Sequence, residues 1–393
     1  MTDVFLVSGV RTAIGTFGGA LKETPASLLA TAVTREAVRR AGIEPGLVGH
    51  VAFGQCAHTE PRDVYLPRVA AIEAGLPIET PAFAVNRLCG SGLQAVVSAA
   101  QTILLGDAEV VVAGGVEVMS RIPYVVPGAR FGARMGDSQM LDAMLAVITD
   151  PFDKIHMGIT AENVARRYEI SRALQDDTAF ESHRRASHAI REGRFASQIL
   201  PVEARHGRKT VTFDSDEHVR HDLRREDLDR LRPAFQPEGG VVTAGNASGI
   251  NDAAAALVLA SGAAVARHGL KPLARLVAYG HAGVEPAYMG IGPVPATRAA
   301  LRRAGLAVAD LGVIESNEAF AAQACAVTRE LGLDPERVNP NGSGISLGHP
   351  VGATGAINTV KLAYELQRSG EHYGLVTMCI GGGQGIAAIL ERA

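Results

Sequence analysis

Blocks of apolar residues recur along the chain with two different periods, and the switch between periods marks its elements. TPAFAV, from Thr80 to Val85, is a short apolar run that predicts a strand. LQAVVSAA, from Leu93 to Ala100, predicts the beginning of a helix, and the glycine-flanked turn between the two holds Cys89. AEVVVAGG, from Ala108 to Gly115, predicts the next strand. The order returns near the C-terminus, with a turn holding His349, a helix near Ala356–Leu366 and a strand over GLVTMCIGGG, Gly374 to Gly383. Such alternation predicts mixed α/β layers. In these folds ligands gather where strand ends and helix N-termini converge.

The return is a repeat and not only a likeness of pattern. REAVRRAGIEPGLVGHVAFG, starting at Arg35, aligns without gaps on RAALRRAGLAVADLGVIESN, starting at Arg298, with seven of twenty positions identical. Each copy reads as an amphipathic helix stopped by Gly42 or Gly305, then a loop and an apolar strand. Two alanine-rich helices could match by chance, but the match runs on through the spacing to the next strand. Duplication is favoured, and a repeat this long predicts two similar domains.

Between the halves, roughly residues 120 to 245 break the pattern. YVVPGARFGARMGD and HGRKTVTFDSDEHVRHD are charged and punctuated by Pro and Gly. Two helices are predicted here, near Ala161–Tyr168 and Arg172–Glu192. The stretch is too long and too patterned for a linker, and reads as an insertion capping a site. A solvated loop region is the alternative on pattern alone.

Composition narrows the function. With 47% hydrophobic and 20% charged residues, 393 residues can bury a large core. The net charge of −3, with both signs interspersed, and the absence of tryptophan give no footprint for nucleic acid. The longest weakly polar stretch, Ala253 to Ala266, is too short to span a membrane. The N-terminus lacks a secretory pattern, and Cys56, Cys89, Cys325 and Cys379 form no CxxC or Cys/His cluster. These features point to a reducing, cytoplasmic home and to no metal site.

Four segments can carry chemistry: NRLCGSG around Cys89, SNEAF around Asn317, SLGHPVGATG around His349 and MCIGGGQG around Cys379. Each sets one reactive or hydrogen-bonding side chain beside small residues, where a ligand can approach the backbone. Taken alone, Cys89 is a nucleophile or merely a small core residue. Reactive residues at both duplicated turns favour the first reading. Cys325, in an alanine-rich helix, and Cys56 are assigned to structure.

With these motifs the chain resembles the thiolases, acetyl-CoA C-acyltransferases, over essentially its full length. NEAFAAQ and CIGGG carry the likeness. NRLCGSGLQA with NPNGSGISLGHP is similar, within the family, to bacterial 3-ketothiolases of broad chain-length tolerance. The resemblance implies duplicated mixed α/β domains in five layers, α-β-α-β-α, with an inserted loop domain. Residues 1–120 and 246–268 would form the N-terminal half, 121–245 the inserted domain for CoA binding and assembly, and 269–393 the C-terminal half.

It also implies a reversible Claisen condensation of acyl-CoA with acetyl-CoA to 3-ketoacyl-CoA and CoA, with no cofactor beyond these substrates. By resemblance, Cys89 is the nucleophile that becomes acylated, its thiolate favoured by the following helix N-terminus. His349 takes the Cys89 proton and helps to stabilise a thioester enolate. Cys379 moves the proton at the α-carbon. Asn317 holds a water that completes one oxyanion hole with His349, and the N–H groups of Cys89 and Gly381 form the other. Ser248 and His156 approach the pantetheine, Met157 lines the acyl pocket, Phe320 is a further substrate- or CoA-binding residue, and Arg220 meets the nucleotide end. A homotetramer is expected, with Tyr124–Asp137 as assembly loop, and neither nucleic acid nor membrane as partner.

Two departures touch no catalytic group: GGVEVMS has Val118 where the family often has a polar residue, and GGGQG has Gln384 where methionine is commoner. A 3-ketoacyl synthase pairs its cysteine with two histidines, or with His and Asn, so the CIGGG cysteine favours a thiolase. A binding protein that kept the fold without catalysis is disfavoured by the intact Cys89, His349, Cys379 and Asn317.

Overall fold

The duplicated segments fold alike. In the computed structural model, which describes residues 3–206 and 209–393, helix α1 (Ala26–Ala41) ends at Gly42 in the left-handed region, φ 66°. Its counterpart in the other half (Pro293–Ala304) ends at Gly305, φ 69°. A left-handed residue after the last helical one satisfies the closing carbonyls, and glycine adopts it without a Cβ clash. One 3₁₀ turn follows in each copy, Pro45–Leu47 and Val308–Asp310, and then a strand.

Nine strands carry the sheet: β1 (Val4–Arg11), β2 (His50–Gly54), β3 (Ala82–Val85), β4 (Val110–Val118), β5 (Asn251–Ser261), β6 (Ala274–Gly283), β7 (Leu311–Ser316), β8 (Tyr373–Ile380) and β9 (Gln384–Arg392). Their order in space is β3-β2-β4-β5-β1, then β6-β9-β8-β7, and Gly15–Thr16 adds a short pair to β5. In the first half, β1/β5 and β5/β4 are antiparallel, while β4/β2 and β2/β3 are parallel. The second half repeats this: β6/β9 and β9/β8 antiparallel, β8/β7 parallel, and Ile314 bridged in parallel to Val338. The halves join through Phe5–Arg275 and Leu6–Ala274.

Helices fill three layers around the two half-sheets. α1 packs on β5, β1 and β4, and the Pro293–Ala304 helix packs on β6 and β9 from the opposite outer side. Between the half-sheets run α2 (Ser91–Leu105) and the Thr354–Ser369 helix, which touch each other and strands of both halves. Strands covered on both faces need apolar residues at successive positions. Accordingly β4 and β5 are buried along their whole length. Leu88–Leu105 is longer than the Ala253–Ala266 stretch singled out by sequence and has a mean hydropathy of 1.4. Its place in the middle layer accounts for that composition.

After Val118 the chain leaves the sheet and returns at Asn251. The helix predicted near Ala161–Tyr168 begins earlier, at Met157, because His156 Nδ1 caps it by accepting from Gly158 N–H at 3.0 Å. The second predicted helix spans Arg172–Arg191, capped by Ser171. This excursion is anchored, not merely solvated. Arg11 on β1 donates to both oxygens of Asp216, at 2.7 and 2.9 Å, and to Gln198 at 2.9 Å, in full burial. A bidentate pair of this kind fixes orientation as well as distance.

Candidate active site

Cys89 lies in the single 3₁₀ turn Leu88–Gly90 that joins β3 to α2. The turn is strained: Leu88 has φ 44°, a left-handed conformation that costs a non-glycine residue roughly 1–2 kcal/mol. Its neighbours hold it there. Leu88 N–H donates to Asn86 Oδ1 at 3.0 Å, and Leu88 O accepts from Ser91 Oγ at 2.7 Å. Cys56 Sγ lies 3.2 Å from the same carbonyl. Gly90 is required because a Cβ would meet the Ile380 side chain at 2.6 Å.

The Cys89 thiol is pushed up to about 11, chiefly by burial, although the N–H groups of Gly381 and of Cys89 itself converge on the sulfur and oppose the shift. Burial therefore outweighs the helix end, and the resting group is a thiol, where sequence suggested a favoured thiolate. Cys379, fully buried near the end of β8, is raised by burial first and by the neighbouring Cys89 second. The two thiols are thus adjacent, with Gly381 beside both. Gly382 and Gly383, φ 78° and 83°, then turn the chain into β9.

His349 is buried on the pseudo-equivalent turn of the second half, before the Thr354–Ser369 helix. Its N–H donates to Asn251 Oδ1 at 2.9 Å. Its Nδ1 lies 2.7 Å from Thr354 Oγ1, and that hydroxyl donates to Pro350 O at 2.9 Å. Since the hydroxyl has one proton, Nδ1 carries the imidazole hydrogen and Nε2 keeps its lone pair. Burial lowers His349 to about 4, so the ring is neutral at ordinary pH.

Asn317 reaches His349 with Nδ2 3.5 Å from Nε2. It is fully buried just after β7, and its Oδ1 has no partner among the described residues. The Asn339 side chain steadies this segment: it accepts from Ser316 N–H at 2.9 Å and donates to Ser316 O at 2.8 Å and Glu318 Oε1 at 2.9 Å. Asn317 N–H donates to Thr377 O at 3.0 Å, tying the segment to the strand of Cys379.

The expected substrate-side residues divide into two groups. His156 stacks on Phe235 at 4.6 Å, and Phe235 meets Phe320 edge-on at 6.3 Å. Met157 and Phe320 share one apolar cluster with Cys379 and Met289. Ser248 N–H donates to Ala319 O at 3.0 Å, beside Phe320. Arg220 stands apart and exposed, its N–H donating to His183 Nδ1 at 3.1 Å, against a small cavity of about 80 Å³. Burial lowers His183 to about 3 and His218 to about 4. A cleft of about 710 Å³ opens elsewhere, along Leu174–Arg185 and Ala324–Arg329, and none of the five proposed catalytic residues lines it.

Sequence reasoning passed over Thr354, Asn251, Asn339 and Phe235. Thr354 and Asn339 lie inside motifs already quoted, SLGHPVGATG and NPNGSGISLGHP, and Asn251 lies three residues after Ser248 in NASGIND. Phe235 carries no local signal. Among the described residues no group of three His, Cys, Asp or Glu is placed to hold a metal ion.

Fold and site define a duplicated α/β protein to which the two halves contribute paired thiols and a buried, neutral histidine. Residues 4–263 match the model of the thiolase N-terminal domain, and residues 270–392 that of the thiolase C-terminal domain. The chain belongs to the thiolase family. It is 65% identical over 390 residues to beta-ketothiolase BktB of Cupriavidus necator, covering 99% of both chains. It is 49% identical over 393 residues to an acetyl-CoA acetyltransferase of Chromobacterium violaceum, covering 99% of this chain and 100% of the relative. Among solved structures it superposes on a Bacillus anthracis acetyl-CoA acetyltransferase with a TM-score of 0.97 at 47% identity, and on human mitochondrial 3-ketoacyl-CoA thiolase with 0.96 at 42%. Both matches cover 100% of this chain and 99% of the other. The human enzyme is also known in complex with CoA.

Proposed function

We propose that the protein works as a two-thiol acyltransferase, with Cys89 and Cys379 dividing the labour. The chain is a thiolase, catalysing reversible condensation of acyl-CoA with acetyl-CoA to 3-ketoacyl-CoA and CoA. The adjacency of two thiols, Cys379 buried and Cys89 partly exposed, with the N–H groups of Cys89 and Gly381 directed at the Cys89 sulfur, is the observation that supports the division.

In the first half-reaction Cys89 sulfur attacks the acyl-CoA carbonyl while its proton passes to His349 Nε2. The C–S bond to CoA breaks, and that proton leaves with the CoA thiol. The N–H groups of Cys89 and Gly381 face the oxygen of the tetrahedral intermediate. In the second half-reaction Cys379 passes its own proton to His349 Nε2 and, as its thiolate, takes an α-proton from acetyl-CoA. The carbanion attacks the acyl–Cys89 carbonyl, a C–C bond forms, and the Cys89 sulfur departs and recovers its proton from His349. The Nε2–H of the protonated His349, with a water held by Asn317, stabilises the enolate oxygen. One covalent intermediate shared by two half-reactions implies ping-pong kinetics.

Under this proposal Ser248 and His156 flank the pantetheine, Met157 lines the acyl pocket, Phe320 is a further substrate- or CoA-binding residue, and Arg220 meets the nucleotide end. In this reading residues 121–245 form the inserted unit that binds CoA and supports assembly, no further cofactor takes part, and the enzyme works in the cytoplasm. A homotetramer is in keeping with Tyr124–Asp137, since Pro127–Leu141 is exposed throughout and Phe131 and Met135 are 87% and 97% exposed. Exposed large apolar side chains in one segment mark a contact surface. A stable monomer by sedimentation would remove the assembly proposal. The catalytic reading is tested by mixing the protein with acetyl-CoA or acetoacetyl-CoA and mapping the adduct by mass spectrometry. An acyl group on Cys89 supports it; bound CoA with no adduct sinks it.

A further inference from the structure

Glu117 lies at the end of β4 with no exposed surface, and the reaction scheme does not use it. Its Oε2 accepts from Cys56 N–H at 3.0 Å and from Gly352 N–H at 2.9 Å, and its Oε1 accepts from Ala57 N–H at 3.2 Å. These donors belong to two different turns. Cys56 and Ala57 follow β2 in the first half, and Gly352 follows His349 in the second.

Each turn leads from the carboxylate to a reactive side chain. On one side, Cys56 Sγ lies 3.2 Å from the carbonyl of Leu88, the strained residue before Cys89. Asn86 Nδ2, whose Oδ1 holds Leu88 N–H, donates to Cys56 O at 3.1 Å. On the other side, Gly352 is three residues beyond His349. The fit admits no side chain at Gly352, where a Cβ would lie 2.5 Å from Glu117 Oε2 and 3.0 Å from the Gln55 Cα. A carboxylate accepts at both oxygens, whereas a carboxamide would turn an N–H toward one of these backbone donors. Leaving such a buried donor without an acceptor is costly.

We infer that Glu117 is a positioning residue, which pins the Cys56 turn and the Gly352 turn to one carboxylate and so fixes the placement of Cys89 relative to His349. Cys56 is the link from that carboxylate to the Leu88 carbonyl. This deepens the proposed roles of Cys89 and His349 and rests on them.

The test compares wild type, Glu117→Gln and Cys56→Ala by steady-state kinetics, melting temperature and the rate of Cys89 alkylation by iodoacetamide across pH. Acylation of wild-type Cys89 by acetyl-CoA is the control for the underlying reading, and its absence overturns that reading and this inference together. With the control met, Glu117→Gln is expected to fold, to keep KM within about threefold and to lose about 10- to 100-fold in kcat, since a small misplacement of reacting groups is enough for such a loss. Its Cys89 alkylation profile should shift with pH, which a merely structural role would not produce. Wild-type kcat, or a lower melting temperature with unchanged kcat and alkylation in the folded protein, overturns the inference. Should Glu117→Gln fail to fold, Cys56→Ala decides: it leaves the carboxylate and its backbone donors in place, and slower Cys89 alkylation, by about threefold or more, is expected. Unchanged alkylation in that variant overturns the proposal.

Discussion

The Cys89 turn and the His349 turn occupy equivalent places in the two halves, yet they are built to different specifications. The Cys89 turn is one 3₁₀ step, partly exposed, with a left-handed leucine held by side chains from outside the turn. The His349 turn is buried, its ring held from within by Thr354 and Pro350 and its backbone by Asn251 from β5. A residue that must gain and lose an acyl group needs access and a defined direction of attack. A residue that must pass one proton needs a fixed tautomer. Duplication supplied one scaffold, and the local hydrogen bonding made two tools of it.

The sharpest way to break this contrast is to remove the sulfur. Cys89→Ala should cost about 10⁴-fold or more in turnover and abolish the acyl adduct, measured by thiolysis of acetoacetyl-CoA. Turnover surviving in that variant would move the nucleophile elsewhere. Next, Cys379→Ser should still acylate Cys89 but lose about 10²- to 10³-fold in C–C bond formation. Equal losses in acetyl exchange and condensation would end the division between the two thiols. On the His349 side, Thr354→Val keeps the shape but removes the hydroxyl, so the imidazole loses the partner that sets its tautomer. A fall of about 10-fold in kcat is expected, with Thr354→Ser restoring most of it; a Val variant as fast as the Ser variant would show that the hydroxyl does not matter.

The smallest effect is on stability. His349 and His183 are held at about 4 and about 3 in the folded chain, below 6.5, so between these values the unfolded chain binds protons that the folded chain refuses. Their contribution is complete above about 6.5 and declines as pH falls toward 4. Glu117, raised to about 7 by burial, acts in the opposite sense between 4.5 and 7. Urea midpoints at pH 7.5 and 5 should therefore differ less in His183→Asn than in wild type, and an equal difference would show that His183 does not carry this loss.

Much of the scaffold was legible because it is local. The stop at Gly42 and Gly305, the strands after them and the long helix of the insertion follow from period, glycine and capping. The four reactive segments were legible because small residues flank a single chemical group. Asn251 and Glu117 were not, because their roles depend on partners that only the fold brings near, His349 for the first and Cys56 and Gly352 for the second; Thr354 was not either, because the turn that points its hydroxyl at His349, five residues away, is not visible in the motif. The direction of the Cys89 shift was missed for a similar reason. A helix N-terminus is visible in a sequence, but the depth at which it is buried is not.

Where the two middle helices meet, Gly92 and Gly355 bring bare backbone together. A Cβ at Gly92 would lie 2.6 Å from the Ala356 nitrogen and 3.0 Å from the Gly352 oxygen. The distance between the halves is therefore gauged at this point by the thickness of a peptide chain, the least adjustable dimension a protein has. Side chains elsewhere in the interface can drift and be replaced over many generations. The turns of Cys89 and His349 flank this contact and have no such tolerance, so their spacing is inherited as a property of the chain itself.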